Sequence, residues 1–210
     1  RAALAPLAVA VYGAPTRELF LAGITGTNGK TTTTLMVDAV ARAAGDRTGT
    51  VGTLGATIDG VHLPHDRTTP EASDLQRLFR QMRGSGVRSA AMEVASHALV
   101  LGRVEGCAFD VACFTNLTQD HLDFHGTMEA YRDAKGLLFT DAADAAAAAG
   151  KAMTAVLNLD DPAGRHYRDV SRAARLLTFS PAGDRAADVV PEDVALAVDA
   201  IAFTARTPVG

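Results

Sequence analysis

An apolar run, Glu18 to Ile24 (ELFLAGI), leads straight into the small, glycine-rich segment Gly26-Thr27-Asn28-Gly29-Lys30-Thr31. From Thr31 onward Leu35, Met36, Ala39, Val40 and Ala43 recur at helical spacing, and Gly45 offers the left-handed residue that closes a helix. Strand, turn and helix in that order are what a phosphate cradle requires. Small residues let consecutive backbone N–H groups converge, the helix contributes its positive end, a lysine neutralises the outer phosphates, and a hydroxyl ligates Mg²⁺. The strict phosphate-loop spacing would put glycine at position 24, where Ile24 stands, with Gly23 one residue too early. The general pattern is therefore missed by one residue, and a glycine turn that happens to precede a lysine stands as the alternative.

The rest of the chain keeps an α/β rhythm with one interruption. Thr50 to Leu54 and Ala56 to Leu63 read as extended, with Asp59-Gly60 as a hairpin turn of positive φ. Thr69-Pro70-Glu71 reads as an N-cap, a first-turn proline and an early acid, followed by the stripe Leu75, Leu78, Phe79 and Met82 up to Gly84. Val87 to Val94 and Phe109 to Thr115 are buried-strand candidates. Each ends in a polar cluster, Glu93 with Ser96 and His97, and Asn116 with Asp120 and His121. Thr127 to Phe139 reads as a helix carrying Tyr131 and Lys135 one turn apart, with the alanine-rich stretch 142–149 as its exposed end. Met153 to Leu157, Leu176 to Phe179 and Ala195 to Phe203 read as further strands, with a short helix from Pro162. The expected fold class is α/β, a mostly parallel sheet flanked by helices in the manner of P-loop NTPases, with an antiparallel excursion. The glycine loop and the polar clusters then share the carboxyl rim of the sheet. Residues 1–16, rich in alanine and proline, read as a lead-in, so that the fold starts at the first strand.

Composition removes several partners. Hydrophobic residues at 48% against 21% charged describe a globular chain rather than a disordered one. With 20 Lys+Arg against 24 Asp+Glu the net charge is −4, which leaves no overall positive field for nucleic acid. No apolar run approaches the roughly 18 residues that span a bilayer, and no secretory signal opens the chain, so no membrane and a cytoplasmic location are expected. Cys107 and Cys113 are too few for a disulfide framework, which fits a reducing compartment. The chain opens on Arg1 and stops after Thr207-Pro208-Val209-Gly210, and reads as an excised, monomeric fragment.

Individual residues point less sharply. A carboxylate such as Glu93 at the end of an apolar strand is costly to bury unless it meets a cation or hydrogen-bond donors. A Mg²⁺ opposite Thr31 would meet that need, and a capped or surface glutamate is the alternative. His121, Asp123 and His125 could suggest a zinc site, but no third nitrogen or sulfur ligand has matching spacing, whereas Mg²⁺ needs only a few protein oxygens. His62, His65 and His166 read as surface or satisfied residues, and Lys135 taken alone as a solvated amine.

Together these segments resemble the Mur ligases, and most closely the type that adds the third amino acid of the bacterial peptidoglycan stem. The resemblance runs from about Arg17 to the end of the chain. It rests on six motifs in order: TGTNGKTTT (Thr25 to Thr33), TTPE (Thr68 to Glu71), MEVASHAL (Met92 to Leu99) with Arg103, TNLTQDHLDFHGT (Thr115 to Thr127), YRDAK (Tyr131 to Lys135) and NLDDPAG (Asn158 to Gly164). It implies that Gly26, Thr27, Asn28, Gly29, Lys30 and Thr32 hold the phosphates of ATP, with Asn158 and Asp161 toward its adenosine. It implies that Thr31 and Glu93 bind one Mg²⁺ and that His121 and a carbamylated Lys135 bind a second, which makes Lys30, Glu93, His121 and Lys135 the catalytic set. A protonated lysine cannot ligate a metal, whereas its CO₂ adduct is an anionic, carboxylate-like group. Thr68, Thr69, Ser96 and Arg103 are implied contacts to UDP-N-acetylmuramoyl-L-alanyl-D-glutamate, Arg103 through a carboxylate. The chain departs from the family's EVSSH at Ala95, which lacks a hydroxyl.

The activity so implied is an ATP-dependent ligation in peptidoglycan synthesis. The γ-phosphoryl group passes to the D-glutamyl side-chain carboxylate, and the amino group of the third residue, meso-diaminopimelate or L-lysine, attacks the acyl phosphate. The resemblance also implies three domains. Residues 1–16 would lead in from an N-terminal domain, 17–210 would be a truncated central ATP-binding domain, and the C-terminal domain would be absent, so the isolated chain is expected not to ligate. The alternatives are an amide ligase of the folylpolyglutamate synthase kind, against which TTPE and Arg103 speak, and a non-catalytic nucleotide-binding module.

Overall fold

The computed structural model describes residues 3–209; Arg1, Ala2 and Gly210, where the expected lead-in and central segment begin and end, lie outside the described residues. Helix α1 (Leu4–Tyr12) and a 3₁₀ turn (Pro15–Arg17) precede strand β1 (Phe20–Thr25), which enters helix α2 (Lys30–Ala43) through the glycine loop. Strands β2 (Thr48–Gly52), β3 (Gly55–Ile58) and β4 (Val61–Leu63) make two tight hairpins, the second turning on Asp59 and Gly60 at φ of 50° and 82°. Helix α3 (Ala72–Gly84), strand β5 (Ser89–Glu93), helix α4 (Ser96–Val100) and strand β6 (Val111–Phe114) follow. Next come helices α5 (Leu122–His125), α6 (Met128–Gly136) and α7 (Asp141–Ala148). Strand β7 (Thr154–Asn158), helix α8 (Pro162–Val170), strand β8 (Arg175–Phe179) and the hairpin β9 (Val190–Leu196) and β10 (Ile201–Arg206) come last.

The main sheet has the order β4-β3-β2-β5-β1-β6-β7-β8, antiparallel only along β2-β3-β4, as the α/β reading with its antiparallel excursion expects. Register sets the site. Ile24 lies opposite both Glu93 and Cys113, and Thr25 opposite Phe114, so β1, β5 and β6 deliver their carboxyl ends to one rim. β1 sits between strands reached by connections running in opposite directions, which is where an open parallel sheet forms its crevice.

One face of the sheet carries most of the core. Leu75, Leu78, Phe79 and Met82 of α3 pack there, and so do Leu138, Phe139, Ala143, Ala146 and Tyr167. The other face is thinner, with Ala22, Ile24 and Ala91 under Val37 of α2.

Several expectations are corrected. The lead-in is a helix whose Ala5 and Ala8 are buried, and α1 packs on α3, so ordered structure begins before β1. The α2 stripe faces outward: Leu35, Met36 and Val40 are exposed, while Thr34 is buried. The loop sets the roll of this helix, because Thr31 must face Glu93 and Thr34 lies on the same side one turn on. Helix α3 starts at Ala72 rather than beside Thr69, whose hydroxyl is used elsewhere. The alanine-rich segment is a separate helix, α7, with Ala143 and Ala146 inside the core, since only methyl-sized side chains let it approach the sheet. The single strand expected over 195–203 is two, because the chain reverses between Leu196 and Ile201, which pair across the β9-β10 hairpin.

A half-buried cation ties the opposite rim. Lys151 Nζ donates to the carbonyls of Leu19 (2.6 Å) and Ala108 (3.1 Å) and to the Asp110 carboxylate, which also accepts the Leu21 N–H at 2.7 Å. Lys151→Met leaves these acceptors short of a donor and should cost about 2 kcal/mol in urea unfolding. A change below about 0.5 kcal/mol would show that solvent already screens the pair.

Candidate active site

The glycine loop is held by the segment after β6. Asn28 N–H donates to Asn116 Oδ1 at 3.0 Å, while Asn116 Nδ2 and Thr115 Oγ1 donate to the Asn28 carbonyl at 3.1 and 2.6 Å. Thr27 N–H donates to the Asn116 carbonyl at 2.8 Å, and Thr118 N–H donates to Thr27 Oγ1 at 3.0 Å. Gly26 has φ of +151°, and a Cβ there would collide with Thr115 Oγ1, so the close approach of the two loops demands glycine. The first intrahelical bond of α2 runs from Thr33 N–H to the Gly29 carbonyl, so the N–H groups of Lys30, Thr31 and Thr32 precede the ladder and face an incoming anion. The cradle therefore lies at the start of α2, since the N–H groups of Thr27 and Asn28 serve to clamp the loop.

Two lysine nitrogens meet on one oxygen. Lys30 Nζ donates to the Gly26 and Thr27 carbonyls at 3.0 and 2.9 Å, and Lys135 Nζ donates to the same Gly26 carbonyl at 2.9 Å. Lys135, only 1% exposed, also stands 4.4 Å from the centre of the Tyr131 ring. Burial first, and then the Lys30 charge, bring its pKa down from 10.5 to about 7. Burial also lowers Lys30, against the pull of Glu93 and Asp120.

Across the loop, the buried Glu93 carboxylate accepts from Thr31 Oγ1 at 2.9 Å, from Thr53 N–H at 2.8 Å and from Thr53 Oγ1 at 3.2 Å. Thr69 Oγ1 donates to the Glu93 carbonyl and accepts the Ala95 N–H, which fixes the Thr68-Thr69 segment beside the end of β5. Arg103 pairs with Glu71 at 3.0 Å and donates to the Thr69 carbonyl at 3.3 Å. Ser96, also buried, shares a 2.9 Å hydrogen bond with His125 Nε2.

His121 caps α5 at φ of 51° and is half exposed, with its ring 4.8 Å from His97 and 6.1 Å from Tyr131. Burial lowers the pKa values of His97 and His125. Among the described residues no group of three or more His, Cys, Asp or Glu side chains is placed to hold a metal ion together. The Thr31 hydroxyl and the buried Glu93 carboxylate are hard oxygen donors of the kind that fit Mg²⁺ alongside phosphate and water. Asn158 Nδ2 donates to the Thr115 carbonyl at 2.8 Å. Asp161 caps α8 through Ala163 N–H, accepts Leu117 N–H, and lines a hollow of about 240 Å³ with Leu117, Met128 and Arg132.

The structure thus brings Gly26 to Thr32, Glu93, Lys135, Thr68 and Thr69 around the end of β1, with Ser96 and Arg103 behind Thr69 and with Asn158 and Asp161 on the far side of the loop. Sequence reasoning gave no role to Thr53, Glu71, Asn116 or Tyr131, although Glu71 and Asn116 stand inside the motifs and Tyr131 one turn before Lys135.

A family model described as the Mur ligase middle domain matches residues 24–205. The chain belongs to the Mur ligase family. Over its whole length it is 49% identical to the UDP-N-acetylmuramoyl-L-alanyl-D-glutamate--2,6-diaminopimelate ligase of Geobacillus thermodenitrificans (strain NG80-2), of which it covers 42%. The ligase of the same name from Corynebacterium glutamicum is 48% identical over 89% of the chain, which covers 35% of that relative. A solved structure of a UDP-N-acetylmuramoyl-L-alanyl-D-glutamate--2,6-diaminopimelate ligase superposes with a TM-score of 0.77 at 30% identity, over 91% of this chain and 38% of the other. E. coli FolC in complex with DHPP and ADP shares the fold, with a TM-score of 0.67 at 17% identity over 94% of this chain and 49% of the other. The chain thus spans about two fifths of the length of its curated relatives. Among the described residues no helix is long and apolar enough to cross a membrane.

Proposed function

We propose that this chain is the ATP-handling domain of a ligase that joins 2,6-diaminopimelate to UDP-N-acetylmuramoyl-L-alanyl-D-glutamate in the bacterial cytoplasm, acting as a monomer. The observation that carries the reading is the convergence of Lys30, Lys135 and the Thr31–Glu93 pair on the carboxyl end of β1. The names of relatives near 49% identity supply the substrates, and the 42% coverage supports residues 17–210 as the central domain of a longer enzyme.

In this reading Lys30 and the first N–H groups of α2 hold the β and γ phosphates. Thr31 and Glu93 would hold Mg²⁺, whose charge would lower the repulsion between a carboxylate and a triphosphate. The D-glutamyl carboxylate attacks the γ phosphorus, ADP leaves, and the amino group of the third residue displaces phosphate from the acyl phosphate. Lys135 acts as its carbamate. A buried amine whose pKa is lowered to about 7 offers a lone pair to the CO₂ carbon, and the carbamate forms as one N–H proton is released to solvent. His121 and the carbamate would be the residues to hold a second metal ion, which would supply positive charge beside the phosphates. Thr68, Thr69, Ser96 and Arg103 face the dipeptide, and Asn158 and Asp161 the adenosine.

The test is incubation of the intact protein with Mg·ATP, UDP-N-acetylmuramoyl-L-alanyl-D-glutamate and diaminopimelate, read by mass spectrometry. The tripeptide nucleotide should appear together with ADP. Extension of a folyl substrate instead would make the chain a folylpolyglutamate synthase-like ligase, and the absence of both products together with undetectable Mg·ATP binding would make it a non-catalytic module.

A further inference from the structure

The β2-β3 turn does more than connect two short strands. Thr53 contributes two of the three donors on the Glu93 carboxylate, its N–H to Oε1 and its hydroxyl to Oε2, while Thr31 supplies the third. A Cβ at the preceding residue, Gly52, would collide with Glu93 Oε1, so the turn lies hard against the carboxylate. Thr53 Oγ1 is also 3.1 Å from Thr68 Oγ1. A hydroxyl has one proton, and that of Thr53 is committed to an acceptor-only carboxylate, so Thr68 must be the donor of this second bond. The hydroxyls thus form a directed line, Thr68 to Thr53 to Glu93. Thr68 is left with lone pairs alone to offer a ligand.

We infer that Thr53 is a positioning residue that fixes the orientation of the Glu93 carboxylate toward Thr31 and couples it to the Thr68-Thr69 segment. This rests on the reading of Glu93 as a Mg²⁺-holding carboxylate. Glu93 has rotatable side-chain bonds, and binding Mg²⁺ in one geometry requires that they be ordered beforehand. Donors on both carboxylate oxygens supply that order, as hydrogen bonds behind a metal ligand do generally. Thr53 itself is exposed, so removing its hydroxyl leaves the core intact.

The experiment is calorimetric titration of a non-hydrolysable ATP analogue into the intact protein at a series of Mg²⁺ concentrations, for the wild type, Thr53→Val, Thr53→Ser and Glu93→Gln. Thr53→Val keeps the shape and loses the hydroxyl. It should raise the Mg²⁺ concentration at half-maximal binding roughly 10-fold, with an unchanged unfolding midpoint, and Thr53→Ser should restore the wild-type value. A Thr53→Val curve superposing on wild type while Glu93→Gln is shifted overturns the positioning role alone. Glu93→Gln without effect on the Mg²⁺ dependence overturns the metal reading of Glu93 and the inference with it.

Discussion

Lys30→Met is expected to reduce ATP turnover by the intact protein roughly 10²–10³-fold, the scale of removing a preorganised donor from a developing charge. The ammonium is held by the Gly26 and Thr27 carbonyls, at the mouth of the N–H cradle formed by the start of α2. Methionine preserves the length and packing of the side chain and deletes only the charge. Lys30→Arg should not restore the rate, because a planar guanidinium cannot occupy the two-carbonyl seat of a compact ammonium. ADP release measured under saturating substrate decides the matter, and a loss of less than about tenfold would remove Lys30 from phosphate stabilisation.

Lys135→Met should produce the other large effect and can be read without turnover. With the wild type at pH 8 in ¹³C-bicarbonate, a carbamate carbon resonance is expected, and it should vanish in the variant. Capture of CO₂ needs the unprotonated amine, and a native pKa of about 7 in place of 10.5 leaves most of Lys135 neutral at that pH. The same shift has a stability signature of definite sign. Between pH 7 and 10.5 the unfolded chain still binds the lysine proton that the native chain has released, so this residue makes stability rise with pH in that window and contributes no slope below it. In CO₂-free buffer, where the residue stays an amine, denaturant unfolding of the wild type and Lys135→Met across pH 6 to 10 should differ by that slope, and parallel curves would mean an amine with ordinary basicity. Turnover by the variant should fall by roughly 10²-fold or more.

Much of the fold was legible because its signals are local. The run into TGTNGKTTT defines β1 and the start of α2, Asp59-Gly60 defines a turn, and the Leu75, Leu78, Phe79, Met82 stripe defines the buried face of α3. Where local signals misled, a tertiary demand outweighed them. The apolar stripe of α2 lies in solvent because the loop, through Thr31 and Glu93, sets how the helix rolls. The alanines of α7 carry no amphipathic pattern, yet lie partly in the core because small side chains are what a close-packed helix needs. Lys30 and Lys135 proved to be neighbours, as did Thr31 and Glu93, but Glu71 and Asn116 stood in their motifs without a visible partner and Thr53 had no signature, since a threonine in a turn is commonplace.

By itself the sequence determined which chemical groups the rim would carry: a lysine and hydroxyls after a glycine loop, a carboxylate ending a strand, and a second lysine on a helix. Those are properties of residue type and short-range spacing. Only the tertiary structure decided what these groups do to one another. Lys135 reaches the Gly26 carbonyl across 109 residues, and Glu93 receives Thr31 across 62. Such meetings depend on strand register and helix roll, and it is burial, with the Lys30 charge beside it, that brings the pKa of an ordinary lysine from 10.5 down to about 7.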